Sequence, residues 1–253
     1  MFLLSIPEDS FDLTPFKVEV PKFSLIVYGR GMELPAFTLE RSIINLRSQV
    51  IKTVPLPEMI FLESPYAEEG QVIAFINDEN EMREFLDNAW SLGVRGDVMT
   101  CGNAKSKGDI AVHSFAGDLC EIRLSISLLN SILGGGKRDN RLSKELDFSD
   151  LSEFISMKSS EISQELPQFI ISPVLYPSKY FLEKFTGKTV KGYFDVTFQD
   201  SNVIYTEVDA MPMRRIAFSL RKEGKKVKEV KINVDPLLAP IYLSLIAHYI
   251  KVG

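Results

Sequence analysis

Short apolar runs alternate with amphipathic stretches of helix length along most of this chain, and no other feature constrains the fold as much. Strands buried on both faces read as continuous apolar runs, and a helical crossover is what lets neighbouring strands run parallel. The pattern therefore predicts parallel sheets covered by helices on both sides. In the first half the predicted strands are FSLIVYG (Phe23 to Gly29), EMIFLE (Glu58 to Glu63), QVIAFIN (Gln71 to Asn77), GDVMTCG (Gly96 to Gly102) and DIAVHSF (Asp109 to Phe115). Helices are expected from Glu33 to Ile51, from Glu79 to a stop at Gly93, and from about Asp118 to Leu133.

The second half repeats the alternation in reduced form. QFIISPV (Gln168 to Val174), VKGYFDVTF (Val190 to Phe198), NVIYTEV (Asn202 to Val208), RRIAFSL (Arg214 to Leu220) and KVKEVKINV (Lys226 to Val234) read as strands. One helix is expected from Tyr176 to Gly187, and a terminal one is capped by Asp235 with Pro236 at its first position. Between the halves, Gly134 to Asp147 is glycine-rich and charged and reads as a boundary, followed by a connecting helix between Ser149 and Leu166. The fold class is α/β: two doubly wound three-layer αβα domains, at 1–135 and 167–253, the second smaller and helix-poor, with 136–166 joining them.

Composition removes several functions. The net charge of −5 provides no global basic field for nucleic acid. No stretch approaches the roughly 18 apolar residues of a membrane span, and the apolar run in MFLLSIPEDS is too short for a secretory signal, so a cytoplasmic protein without membrane contact is expected. Cys101 and Cys120 carry no CxxC or metal spacing and read as reduced, buried thiols. His113 and His248 are the only histidines, which leaves little for a histidine zinc site or a Ser-His-Asp triad, and neither a metal nor a cofactor is expected.

Three segments carry a family resemblance: DIAVHSFAGDLCEIRLSISLLNSILGGG (Asp109 to Gly136), GQVIAFINDENEMREFLDNAWSLGVRGDVMTCG (Gly70 to Gly102) and DPLLAPIYLSLIAHYIKVG (Asp235 to Gly253). With the pair Tyr176-Pro177, they resemble the tandem SIS (sugar isomerase) domains of the isomerase half of glucosamine-6-phosphate synthase and of related archaeal sugar-phosphate isomerases and deaminases. The resemblance implies a homodimer and a sugar phosphate or similar small anion as ligand. It places the phosphate cradle on three loops: Gly29, Arg30 and Gly31; Asn77, Glu79 and Asn80; and Glu121, Arg123 and Ser125. A phosphate docks where loops at the carboxyl ends of parallel strands offer N–H groups and hydroxyls. Here the family's hydroxyl residues are largely replaced by acids or bulkier groups, and the acids between Asn77 and Glu81 also suit the first turn of a helix.

For catalysis the resemblance implies a glutamate that moves a proton between two sugar carbons, and a lysine in the tail. Glu183 lies on the corresponding helix, whereas an ungapped match from Tyr176-Pro177 puts Lys188 at the proton-transfer position. The lysine-bearing tail has no counterpart. Three classes stay open: a phosphosugar-binding protein with little or no catalysis, an active isomerase or deaminase working through an enediol, and a structural dimerisation protein.

Overall fold

The computed structural model describes residues 12–63, 71–148 and 150–252. They form two compact units, one from Asp12 to Leu146 and one from Asp147 onward.

The first unit holds five strands: β1 (Leu25–Tyr28), β2 (Lys52–Pro55), β3 (Gln71–Phe75), β4 (Arg95–Thr100) and β5 (Ile110–Ser114). All pair in parallel, in the order β2-β1-β3-β4-β5. Because side chains alternate along a strand, the apolar runs feed two cores. Ile26, Ile73, Phe75 and Met99 face α1 (Glu33–Arg47), which supplies Leu39 and Ile43, and α3 (Cys120–Ile132), which supplies Leu124 and Leu128. Leu25, Val27, Val72, Ala74 and Val98 face the opposite side, where α2 (Glu79–Leu92) contributes Met82, Phe85 and Ala89. At its end Gly93 takes φ +67°, a left-handed conformation that glycine adopts without the clash a Cβ brings.

One expectation fails in this unit. The second strand lies before EMIFLE: β2 ends at Pro55, and Leu56 to Glu63 continues as helical turns. Pro57 sits in the first turn, where a missing N–H costs nothing, and it leads Met59 into the core while Phe61 and Leu62 stay exposed. The glycine-rich boundary contains α4 (Lys137–Glu145). Buried Asp139 accepts a hydrogen bond from the Gly134 N–H (2.8 Å) and pairs with Arg47 (3.6 Å), which ties the turn to the end of α1. An extended arm, residues 12–23, lies on the α1/α3 side; its Phe16 N–H donates to Ser127 Oγ (2.8 Å).

In the second unit β6 (Gln168–Ile171), β7 (Thr189–Lys191), β8 (Ser201–Thr206) and β9 (Val227–Ile232) pair in parallel in the order β7-β6-β8-β9. Four helices accompany them: α5 (Leu151–Glu161), α6 (Lys179–Thr186), α7 (Ala210–Lys222) and α8 (Ala239–Val252). The unit is therefore not poor in helices. RRIAFSL belongs to α7, not to a strand. Ile216, Phe218 and Leu220 mimic period two, but the buried positions are Met213, Ala217 and Leu220, at helical spacing, and they pack on Val203 and Tyr205. β7 stops before Gly192, and the remaining aromatics of VKGYFDVTF lie in a turn that leaves Phe194 89% exposed. Asp235 caps the chain before α8, accepting from the Leu237 N–H at 2.9 Å.

Candidate functional site

In an open parallel sheet, ligands sit outside the carboxyl ends of the strands where successive connections leave in opposite directions. In the first unit that point lies between β1 and β3, flanked by β2 and β4. The loops there are Gly29 to Met32 and Ile76 to Asp78, so the predicted residues Gly29, Arg30, Gly31 and Asn77 do stand at the rim. Gly31 takes φ +84° and turns the chain sharply into α1.

The rim is already occupied by the protein's own carboxylate. Glu81 leans back from the first turn of α2, and its Oε2 accepts the Arg30 N–H at 2.9 Å. A Cβ added to Gly29 would lie 2.2 Å from that same oxygen, so the glycine is what lets the carboxylate approach. Glu33, at the start of α1, has its carboxyl pushed above the usual range, chiefly by burial, with the Glu81 charge adding to the effect. Its Oε2 is buried without a hydrogen-bond partner.

Around this point the other predicted residues are joined to one another. Asn77 Oδ1 accepts from the Cys101 N–H (2.7 Å) and from Thr100 Oγ1 (3.3 Å), while its Nδ2 donates to Glu121 Oε1 (3.1 Å). One side chain thus connects the loops after β3 and β4 with the start of α3. Asp78 caps α2, accepting from the Asn80 and Glu81 N–H groups. Arg123 donates to the Thr14 carbonyl (2.9 Å), pairs with Asp12 (3.3 Å) and lies over the Phe16 ring, so the arm holds it. Ser125 is buried and bonded to the Glu121 carbonyl. In the third predicted loop the Ser125 hydroxyl is thus taken by its own helix, and the arm engages Nε and Nη1 of Arg123.

Cys101 and Cys120 form a disulfide, which corrects the expectation of reduced thiols. β4 delivers Cys101 to the carboxyl edge and α3 begins there with Cys120, so their Cα atoms lie 5.9 Å apart, within bridging distance. The signal was present in the topology, since a strand end and a following helix start share one edge of a sheet. The absence of a CxxC spacing concealed it.

A cavity of about 580 Å³ opens beside the disulfide at the carboxyl ends of β3 and β4. Asn77, Glu79, Arg83, Asn103, Lys105 and Ser106 line it. Lys107 closes one side, bonded to Asp87 (2.6 Å) and lying over the Trp90 ring. Asn77 and Glu79 thus face the cavity; Arg83 and Lys105, which bring positive charge, carry no sequence motif.

The second unit changes direction between β6 and β8. Asp209 fills that rim: it accepts from the Thr206 N–H (2.7 Å), Thr206 Oγ1 (2.8 Å) and the Val174 N–H (3.3 Å), and is only 9% exposed. Ser172 Oγ, at the end of β6, is buried without a partner. Reading α7 as a strand hid Asp209, the residue that precedes it.

Glu183 and Lys188 are not at this rim. Glu183 lies in the last turn of α6, 4.0 Å from Lys179. Lys188 precedes β7 and donates to the carbonyl of Gln164, which precedes β6. Both segments belong to the amino edge of the sheet. Burial lowers the Lys188 pKa from its usual value. Among the described residues no cluster of three or more His, Cys, Asp or Glu is placed to hold a metal ion. Among them too, no helix is long and apolar enough to cross a membrane.

No protein-family model matches the sequence, and no curated protein matches it either. Solved structures do match. Glucosamine-6-phosphate deaminase from Thermotoga maritima superposes with a TM-score of 0.67 at 14% identity, over 90% of this chain and 83% of that one. Tagatose-6-phosphate ketose/aldose isomerase from Escherichia coli gives 0.58 at 9% identity, over 90% and 81%. The C-terminal domain of glucosamine-fructose-6-phosphate aminotransferase from Francisella tularensis gives 0.58 at 10% identity, over 90% and 84%. At such identities the likeness is one of architecture: the chain shares the fold of these solved structures, with two parallel sheets covered by helices.

Proposed function

We propose that this protein binds a sugar phosphate, or a similar small carbohydrate anion, without converting it. The observation that carries the reading is the cavity at the ends of β3 and β4. Its volume of about 580 Å³ lies within the range of small-molecule sites, and it combines amide, hydroxyl and carboxylate groups for sugar hydroxyls with Arg83 and Lys105 for a phosphate. At the β1 loop the backbone N–H of Arg30 is already bonded to Glu81, whose carboxylate stands where a phosphate would dock. Glu183 and Lys188 lend no support to turnover: both lie at the amino edge of the second unit's sheet, where Glu183 pairs with Lys179 and Lys188 donates to the Gln164 carbonyl.

Thermal-shift measurements against hexose and aminosugar phosphates test this, since a ligand bound only by the folded form raises the melting temperature with its occupancy. At millimolar concentration a rise is expected that shrinks in Arg83→Ala and Lys105→Ala. No rise with any of these compounds would remove the binding reading. Conversion of fructose 6-phosphate that disappears in Glu183→Gln would restore an enzyme.

A further inference from the structure

We infer that the Cys101–Cys120 disulfide is a thiol-exchange site, and that its reduction loosens the wall of the β3/β4 cavity. The wall is the segment Gly102 to Lys107, mostly exposed and without regular structure. Between its two ends the one core contact among the described residues is Ala104, which packs on the α2 side of the sheet. At the far end Lys107 is bonded to Asp87 and lies over Trp90. At the near end Cys101 is fixed by the disulfide and by its N–H bond to Asn77.

The other half of the bridge sits on a backbone that the bridge constrains. Leu119, immediately before Cys120, has φ +52° and ψ +31°, a left-handed conformation that side chains other than those of glycine and asparagine adopt at a cost. No side chain caps α3 there. The first turn of α3 is therefore positioned by the sulfur bridge and by the contact of Glu121 with Asn77, not by its own cap. Breaking the bridge leaves the Asn77 contacts and the bond from the Phe115 N–H to the Thr100 carbonyl (2.8 Å) to join the two segments, and lets Leu119 relax to a right-handed conformation.

The chemistry needs a small dithiol as reductant. Its thiolate attacks Cys101 Sγ, on the less buried of the two residues, since Cys120 is only 4% exposed. The S–S bond breaks and Cys120 leaves as a thiolate that takes a proton from water. The second thiol of the reductant, once deprotonated, then displaces Cys101, so that two electrons pass to the protein and the reductant ends as a cyclic disulfide. The effect on loop geometry stands by itself, whereas the effect on a ligand rests on the function proposed above.

Hydrogen exchange followed by mass spectrometry tests the loop directly, on the full chain with and without dithiothreitol. Thiol titration should give no free thiol before reduction and two after. Exchange in residues 101–108 and 118–122 should rise at least tenfold on reduction while β1 and β3 keep their protection, and C101S/C120S should show the same pattern without reductant. Unchanged local exchange would overturn the inference, as would simultaneous loss of protection across the whole sheet, which marks a purely structural staple. Two free thiols in an untreated protein whose loop is protected would do the same. A sugar-phosphate thermal shift that weakens on reduction supports both readings; a responsive loop with no such shift in either state removes the ligand and leaves the exchange site.

Discussion

The two rims, one in each unit, use the same device with different commitment. In both, a carboxylate of the chain takes backbone N–H groups at the point where a parallel α/β sheet would otherwise receive an external anion. Asp209 is almost fully buried and collects two N–H groups and a hydroxyl. Glu81 is partly exposed, reaches over a glycine, and collects one. Burial and the number of donors separate a structural pin from a removable plug, because an unmet buried donor costs far more than an exposed one that water can serve.

Asp209→Ala tests the pin and should have the largest effect. It strands two N–H groups, and at about 1–3 kcal/mol each a loss of about 3 kcal/mol in urea unfolding is expected. A loss below about 1 kcal/mol would erase the distinction between the rims. For the plug, Glu81→Gln keeps an acceptor for Arg30 but removes the charge. Phosphate or sugar-phosphate affinity should rise roughly tenfold, about 1.4 kcal/mol, in calorimetric titration; no gain would mean that Glu81 does not stand in for an anion.

A smaller effect joins Gly29 to Glu81. Gly29→Ala puts a methyl group where Glu81 Oε2 lies and should cost about 1 kcal/mol, the net worth of the lost hydrogen bond. In a Glu81→Ala background the same change should cost almost nothing, so a double-mutant cycle reads the contact alone. Additive losses would show that the glycine serves only the turn.

The smallest effect concerns Glu33. Its carboxyl lies above the usual value of 4.5, mainly through burial, so the native state holds that proton more tightly than the unfolded chain does. The favourable contribution is complete below the unfolded value and disappears as pH rises through the folded one. Glu33→Gln should therefore melt higher than the parent at pH 7 and with it at pH 4; equal melting at both would show that this carboxyl is not strained by its surroundings.

Most of the architecture was legible because fully buried strands and long amphipathic helices declare themselves by composition and period. The errors fell where two periods coincide or a proline decides. RRIAFSL fits a strand until burial shows Met213 and Ala217 setting the helical face. EMIFLE fits one until Pro55 ends β2 and Pro57 starts a turn of helix. At the site, the glycines and Asn77 could be placed from the ends of predicted strands. What could not be read is which donors are already taken. The backbone N–H of Arg30, the Arg123 side chain and the Ser125 hydroxyl look available in the sequence, and only the folded chain shows Glu81, the arm and the helix backbone bonded to them.

The arm that holds Arg123 also decides how much positive potential this edge presents. Three groups within five residues, the Asp12 carboxylate, the Thr14 carbonyl and the Phe16 ring, share one guanidinium. Proteolytic trimming past Phe16 would return that cation to solvent beside α3, so the integrity of a stretch with no regular secondary structure sets the electrostatics of a helix more than a hundred positions downstream.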